Sequence, residues 1–593
     1  MEGLTMKMSK VTTGAPPKMA NGTPTSQPIQ MKKPTEKLDA NMNDSKMPNS
    51  NPDPLDSPPA KLDIDDLLFD LLSDNDDKLP VAKFWQCIKE TGIRPEDKRL
   101  RQTKQKFTSK QKELGTEHEA SFRVDKDTFK DCIADNKVFI TKVFKNELVI
   151  PEFKRFCQNI STIFNICKSN DGGNPADYIP QLARVPRHFW GVSVCTIDGQ
   201  RFSIGDTNLP FCLQSCSKPL NYALAVSDLG PEECHKYVGQ EPSGRSFNEL
   251  TLDHNNKPHN PMINAGAIMT THLVKPKWQI ADRFDYVFKQ YSRLAGEEFI
   301  GFSNATYLSE RETADRNFAL GYYMKENDCF MEGTNLTQTL EFYFQLCSVE
   351  VDAESASVIA ATLANGGICP TTGERVLQGD AVRNTLSLMH SCGMYDYSGQ
   401  FAFKVGLPAK SGVAGAILLV VPNVMGICTW GPPLDEMGNS CRGVQFCEEL
   451  VAMFNFHNYD NLNHTVAQKE DPRTRTVDNK ANSVVNLLFG AANGDVTAIR
   501  RFYMTGMDMG APDYDGRTAL HLACAEGHLH VVKVLLEWCG VDVAPKDRWE
   551  ATPEEDAKSY PEILDYLKEY RSMKAAGRLP RRGSVFRSTS KPV

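Results

Sequence analysis

The sequence predicts a large α+β domain carried between a helical domain and a stack of repeats. Three observations lead there. Short strand-like runs stand at both ends of residues 170–457, with helical patterns and Gly/Asn turns between them. Upstream, Leu62, Ile64, Leu67, Leu68, Leu71 and Leu72 recur at helical spacing. Downstream, Ala492-Asn493-Gly494 returns as Ala525-Glu526-Gly527 after 33 residues, and Asp513 returns as Asp547 after 34.

A chain of 593 residues is long enough for several such domains. Its net charge of −8 argues against a dominant role in binding nucleic acid. The 17 cysteines form no CxxC pair, so they read as reduced thiols and not as a disulfide framework or zinc site. The longest apolar run, Val413 to Val421, stops at Pro422 and is too short to span a bilayer. No membrane span and no nucleic-acid partner are expected.

Residues 1–60 carry ten prolines and almost no aromatic residue, and are expected to stay disordered. As a mitochondrial presequence this segment is poor, because no arginine precedes Arg94 and no amphipathic stripe is visible. Residues 61–160 read as a helical domain, with helices over Phe129–Ile140 and Val143–Phe156. The acidic turn Asp74-Asn75-Asp76-Asp77 resembles the start of an EF-hand loop. However, Leu79 and Trp85 stand where such a loop needs Gly and Glu, so no calcium is expected.

In residues 170–457 the strand runs are Gly191–Ile197, Phe202–Ile204, Ala416–Val421 and Gly426–Trp430. The unbroken apolar run 416–421 reads as a central strand, buried on both faces. A polar linker covers 458–480. Residues 481–572 then hold about two and a half repeats. Their segment Gly516-Arg517-Thr518-Ala519-Leu520-His521-Leu522-Ala523 resembles the ankyrin signature, which marks a surface for protein partners. The tail 573–593 is basic, and Arg581-Arg582-Gly583-Ser584 resembles a basophilic kinase site, with a merely solvated tail as the alternative.

Chemistry concentrates in the central region. Ser215 precedes Lys218 by three residues at the start of a helical pattern, so the hydroxyl and the amine share one helical face. A lysine made less basic by burial can deprotonate such a hydroxyl. The spacing itself is common, since Ser109/Lys112 and Ser588/Lys591 repeat it in polar segments. Lys410-Ser411-Gly412, just ahead of the apolar strand, adds weight. Serine acyl enzymes of the β-lactamase and penicillin-binding type pair Ser-x-x-Lys with Lys-[Ser/Thr]-Gly in this order. Met394-Tyr395-Asp396-Tyr397-Ser398-Gly399 is a turn that can present a phenol beside the pair. Asn260, Asn264, Asn317 and Asn365 supply neutral polar groups suited to a zwitterionic substrate.

The blocks Gln214-Ser215-Cys216-Ser217-Lys218-Pro219, Lys257-Pro258-His259-Asn260-Pro261-Met262-Ile263-Asn264-Ala265-Gly266-Ala267, Ser309-Glu310-Arg311, Asp315-Arg316-Asn317 and Pro408-Ala409-Lys410-Ser411-Gly412-Val413 together resemble the glutaminases, the animal kidney and liver types above all. The resemblance spans about residues 61–570. It implies a β-lactamase-like catalytic fold flanked by an EF-hand-like domain and ankyrin repeats, and hydrolysis of L-glutamine to L-glutamate and ammonia without metal or other cofactor. It makes Ser215 the nucleophile, Lys218 its base, and Tyr395 and Tyr178 proton relays. Backbone N–H groups of Ser215 and Val413 become the oxyanion hole. Glu310 receives the substrate ammonium, and Gln214, Asn264, Asn317, Tyr343 and Tyr178 hold the amino-acid end. It also implies a homotetramer, inorganic phosphate as activator, and a mitochondrial location, with a cytoplasmic one as the alternative.

One loop departs from the family. The kidney-type enzyme has Gly-Leu-Arg-Phe-Asn-Lys-Leu-Phe where this chain reads Gly244-Arg245-Ser246-Phe247-Asn248-Glu249-Leu250-Thr251. Phe247 and Asn248, which the resemblance assigns with Tyr323 to the activation loop, are kept. The Arg and Lys are lost to Ser246 and Glu249, so weaker or altered phosphate activation is expected. Two other readings stand beside this one: another serine amidase of the penicillin-binding type, and an inactive ankyrin scaffold.

Overall fold

The computed structural model describes residues 64–74, 77–115, 121–244, 249–460, 469–474 and 478–576. Residues 1–60, most of the 573–593 tail with Ser584, and Arg245 to Asn248 of the departing loop lie outside them.

The first domain is a bundle of five helices: Ile64–Leu72, Val81–Glu90, Arg101–Glu113, Lys126–Ile133 and Lys137–Phe144. Phe69, Phe84, Phe107 and Phe129 meet in its core. Two short strands, β1 (Leu79–Pro80) and β2 (Arg123–Val124), pair antiparallel between its halves. The Asp74 carboxylate accepts the Lys78 N–H and pairs with Arg123 at 2.8 Å. Asn75 and Asp76 of the same turn fall outside the described residues. The helix expected over Val143–Phe156 is interrupted. The chain leaves it after Phe144, takes a left-handed turn at Asn146 (φ +57°) and restarts at Phe153, beyond Pro151. A left-handed residue and a proline each end a helix whatever the apolar spacing around them.

The central sheet has five antiparallel strands: β3 (Gly191–Thr196), β4 (Arg201–Gly205), β8 (Ala409–Gly412), β9 (Ala416–Val421) and β10 (Met425–Trp430), in the order β4-β3-β10-β9-β8. The two ends of the region therefore close one sheet around the helices between them. β9 is an interior strand, as its apolar run requires, but the centre is β10. Ile417, Leu419 and Val421 of β9 face one core with the helices Phe153–Lys168 and Cys441–Met453. Ala416, Leu418 and Val420 face the other, larger core. Burial on both faces explains why the run does not alternate with polar residues. The helix Ala353–Ala364 lies on β10 so closely that a Cβ at Gly426 would sit 2.0 Å from the Ala361 nitrogen. Its run of Ala and Ser residues permits that approach.

A second sheet has no counterpart among the strand runs of the sequence. β5 (Phe211–Cys212), β6 (Ile300–Phe302) and β7 (Val349–Val351) pair in the order β5-β7-β6. Runs this short carry no periodicity to read. The sheet matters because β5 delivers the chain directly to Gln214 and Ser215.

The repeats form three helix pairs: Asp478–Ala492 with Val496–Met504, Ala519–Ala525 with 529–538, and 553–559 with Pro561–Ala575. Thr518 and His521 brace the turn into this pair: His521 Nδ1 accepts the Thr518 N–H, and the second ring nitrogen reaches the Ala551 carbonyl. Thr552 opens the third pair with a capping box to Glu555, so the third repeat is whole where the sequence pattern suggested half. The stack leans on the first domain. Arg500 donates to the Asp70 carbonyl and lies 5.2 Å from the Trp538 ring, while Met504 and Leu67 cross between the two cores.

Candidate active site

β5 ends in a tight turn, Gln214–Cys216, that runs without a break into the buried helix Ser217–Leu229. Gln214 holds φ +49°, and Tyr395, in the turn that faces it, holds φ +50°. Neither is glycine, and such conformations cost on the order of 1–3 kcal/mol each and persist only where their surroundings enforce them.

The surroundings do so through two glycines. A Cβ on Gly412 of β8 would come within 2.9 Å of the Leu213 carbonyl and 3.1 Å of Cys216 Sγ. A Cβ on Gly393 would come within 1.8 Å of the Ala409 carbonyl. Ser411 N–H donates to the Gly393 carbonyl, and Cys216 Sγ–H to the Lys410 carbonyl. The edge strand β8 is thereby clamped between the Ser215 turn on one side and the Tyr395 turn on the other.

Ser215 is half-buried, and its side chain pulls the Tyr395 phenol part of the way back toward its usual range. Lys218 is fully buried, and its Nζ donates to Asn264 Oδ1 at 2.6 Å. Burial lowers its pKa from an ordinary lysine value to about 8. Asn264 Nδ2 donates in turn to Asn317 Oδ1 at 3.2 Å. The Tyr395 ring is buried, and that burial raises the phenol well above its usual range.

Next to this group stands Glu310. Its Oε1 accepts from the Tyr178 hydroxyl at 2.6 Å and from Gln214 Nε2 at 3.0 Å. Burial raises its pKa, and the two hydrogen bonds pull it part of the way back. Tyr178 keeps an exposed ring with its hydroxyl turned onto the carboxylate, while the Tyr343 phenol is buried against Cys347 and within the field of Glu310. Val413, in the β8–β9 turn, packs with Ile179 and Leu182, beside Tyr178.

Nine expected residues thus fall into two linked groups: Ser215, Lys218, Tyr395, Asn264 and Asn317 in one, Gln214, Glu310, Tyr178 and Tyr343 in the other. The two other asparagines do structural work. Asn260 Oδ1 accepts the N–H groups of Met262 and Ile263, and Asn365 Nδ2 donates to the Ile368 carbonyl in its own turn. Tyr323 shares a helix with Asn317 but, six residues on, occupies a different face. Phe247 and Asn248 fall outside the described residues. Lys410 is the member that sequence reasoning passed over. It served as a motif marker, yet it is fully buried, with its Nζ 4.4 Å from the centre of the Tyr395 ring.

A hydroxyl, a buried amine of reduced basicity and a phenol, set in an α+β domain beside a buried carboxylate, are the equipment of an amidohydrolase that works through serine. Comparison with known proteins narrows that class. Residues 173–459 match the Glutaminase family, 64–151 an EF-hand domain, and 477–575 three copies of ankyrin repeats. The Mus musculus protein named "Glutaminase liver isoform, mitochondrial" is 53% identical over 509 residues, covering 86% of this chain and 84% of the mouse protein. "Putative glutaminase 2" of Caenorhabditis elegans is 50% identical over 84% of this chain and 83% of its own. A solved structure described as "Probable glutaminase ybaS" superposes with a TM-score of 0.50 at 36% identity, over 52% of this chain and 99% of its own. The chain belongs to the glutaminase family.

Proposed function

We propose that this chain hydrolyses the side-chain amide of L-glutamine, releasing L-glutamate and ammonia through an acyl-enzyme on Ser215. The observation that carries the proposal is the pairing of two groups at one site: a hydroxyl with a buried, weakly basic lysine, and a buried carboxylate with amide and phenol donors. The first suits an amide carbon, the second an α-amino acid.

In this reading the neutral Lys218 amine takes the Ser215 proton as Oγ attacks the amide carbon. The oxygen that becomes negative is held by the backbone N–H groups of Ser215 and Val413. Tyr395, beside Ser215, passes a proton to the leaving ammonia, and the same groups in reverse order activate the water that frees glutamate. Asn264 fixes Lys218 through Oδ1. Nucleophile, base and donors are all protein groups, so the reaction calls on no cofactor.

Glu310 meets the substrate ammonium. A carboxylate whose charge is disfavoured by burial gains most from a cation brought to it. Glu310→Gln is therefore expected to raise KM for glutamine by about 100-fold while changing kcat much less. Initial rates of ammonia release over a range of glutamine concentrations measure this. A KM within twofold of wild type would remove Glu310 from the substrate site.

A homotetramer, protein partners on the ankyrin stack and a mitochondrial location, as in the names of the liver-type relatives, complete the proposal. Phosphate is the activator. With Ser246 and Glu249 in the loop, phosphate is expected to raise the rate less steeply than in the kidney-type enzyme. A phosphate titration of both enzymes under identical conditions decides this, and equal curves would contradict it.

A further inference from the structure

Tyr395 stands beside Ser215 on a backbone conformation that tyrosine does not favour, φ +50°. Two side chains with no place in the mechanism above hold it there. Ser398, buried at the start of the helix Ser398–Lys404, spans the left-handed residue. Its Oγ accepts the Met394 N–H at 3.0 Å and donates to the Tyr395 carbonyl at 2.6 Å. Asn439 is fully buried and donates from Nδ2 to the Met394 carbonyl at 3.3 Å. The buried Met394 therefore has its N–H on Ser398, and its carbonyl on Asn439 and the Tyr397 N–H. Buried backbone groups need such partners, and these partners fit only the turn as it stands.

Asn439 comes from a distant part of the chain, on a loop braced within itself. Leu434 and Ser440 bridge across its base, and Asp435 Oδ1 accepts the N–H groups of Met437 and Asn439. Ser440 then caps the helix Cys441–Met453, which fixes the loop to the body of the domain. The same loop sets Gly438, at φ +84°, against the phenol ring. A Cβ there would lie 3.8 Å from Cδ2 and Cε2 of Tyr395.

We propose that Ser398 and Asn439 are positioning residues that lock the left-handed turn and so keep the Tyr395 phenol where it can protonate the departing nitrogen. The proposal rests on the reading of Tyr395 as that proton donor. Released from these partners, the tyrosine regains the negative φ that an L-residue prefers, and the rotation carries the phenol away from Ser215.

Ser398→Ala and Asn439→Ala each remove part of the lock without touching the substrate. For either variant, kcat/KM for glutamine is expected to fall by about 10- to 100-fold. The γ-p-nitrophenyl ester of L-glutamate separates positioning from scaffolding, because p-nitrophenolate leaves without needing a proton. With spontaneous release subtracted, its kcat/KM should stay within about threefold of wild type. Ser398→Thr keeps the hydroxyl and should restore most of the glutamine rate. In a Tyr395→Phe background neither change should lower that rate further, since both act through the phenol. Equal losses on glutamine and ester, a glutamine kcat/KM within twofold of wild type, or losses that add to that of Tyr395→Phe would overturn the proposal. Should Ser398→Ala fail to fold, Asn439→Ala and the equally sized Asn439→Asp carry the same test from a separate segment. Failure of the underlying reading looks different: Tyr395→Phe would itself lose the same factor on both substrates.

Discussion

Ser215→Ala is expected to lose about 10⁴-fold or more in kcat for glutamine, with its melting temperature close to that of wild type. No neighbouring group can replace the hydroxyl. Lys218 is committed to Asn264, Cys216 is turned away onto the Lys410 carbonyl, and Tyr395 is a phenol held in its protonated form by burial. Removing one half-buried Oγ leaves the turn intact, since Gln214, Cys216 and Gly412 set its shape. Ammonia release, followed with a coupled assay sensitive to slow turnover, measures the loss. A variant that keeps a tenth of the wild-type rate would show that Ser215 is a neighbour of the chemistry and not its nucleophile.

Lys218→Met should separate activity from stability. The rate is expected to fall by about 10³-fold, because no other group can take the Ser215 proton. Stability should rise. In the unfolded chain the lysine holds its proton up to about 10.5, whereas in the folded chain burial brings the pKa to about 8. Folding thus releases a proton, and wild-type stability climbs as pH rises from 8 to 10.5. Below 8 the whole cost of burying the lysine is present, about 3 kcal/mol at 1.36 kcal/mol per unit. Methionine has no such cost. It does leave Asn264 Oδ1 without its donor, a loss of about 1 kcal/mol. The net gain is about 2 kcal/mol near pH 7, and it disappears above the unfolded value. Melting curves at pH 7 and pH 10.5 test both the sign and the window. A variant less stable than wild type at pH 7 would mean that Lys218 is well solvated or paired in the folded protein.

Much of the architecture was legible because long elements leave periodic traces. The apolar run 416–421 had to be buried on both faces, and the 33-residue period had to be a stack. Thr518 and His521 brace each other as their motif demands. What escaped was short or non-local. β5, β6 and β7 have two or three residues each, and their pairing depends on segments far apart in sequence. The break after Phe144 was hidden by apolar spacing that continues across it, although Pro151 was a visible warning.

The site followed the same division. Ser215 and Lys218 are neighbours in sequence and could be paired from spacing, but Glu310 and Gln214 meet only in three dimensions. The four asparagines looked alike as text. Their partners divide them, with Asn264 and Asn317 linked to Lys218 and Asn260 and Asn365 closing turns. Lys410 was visible as part of a motif, yet its burial and its ring contact depend on β8 being clamped between two turns. Sequence reasoning has no access to that clamp.

The central claim is that glutamine passes through a covalent ester on Ser215. Rapid-quench turnover with glutamine, followed by mass spectrometry of the peptide containing residue 215, tests it most directly. The account predicts a burst of ammonia equivalent to the enzyme sites, together with a γ-glutamyl ester on Ser215 that disappears as glutamate forms. Steady turnover with no burst and no ester on that peptide, or an ester carried by another residue, would contradict it.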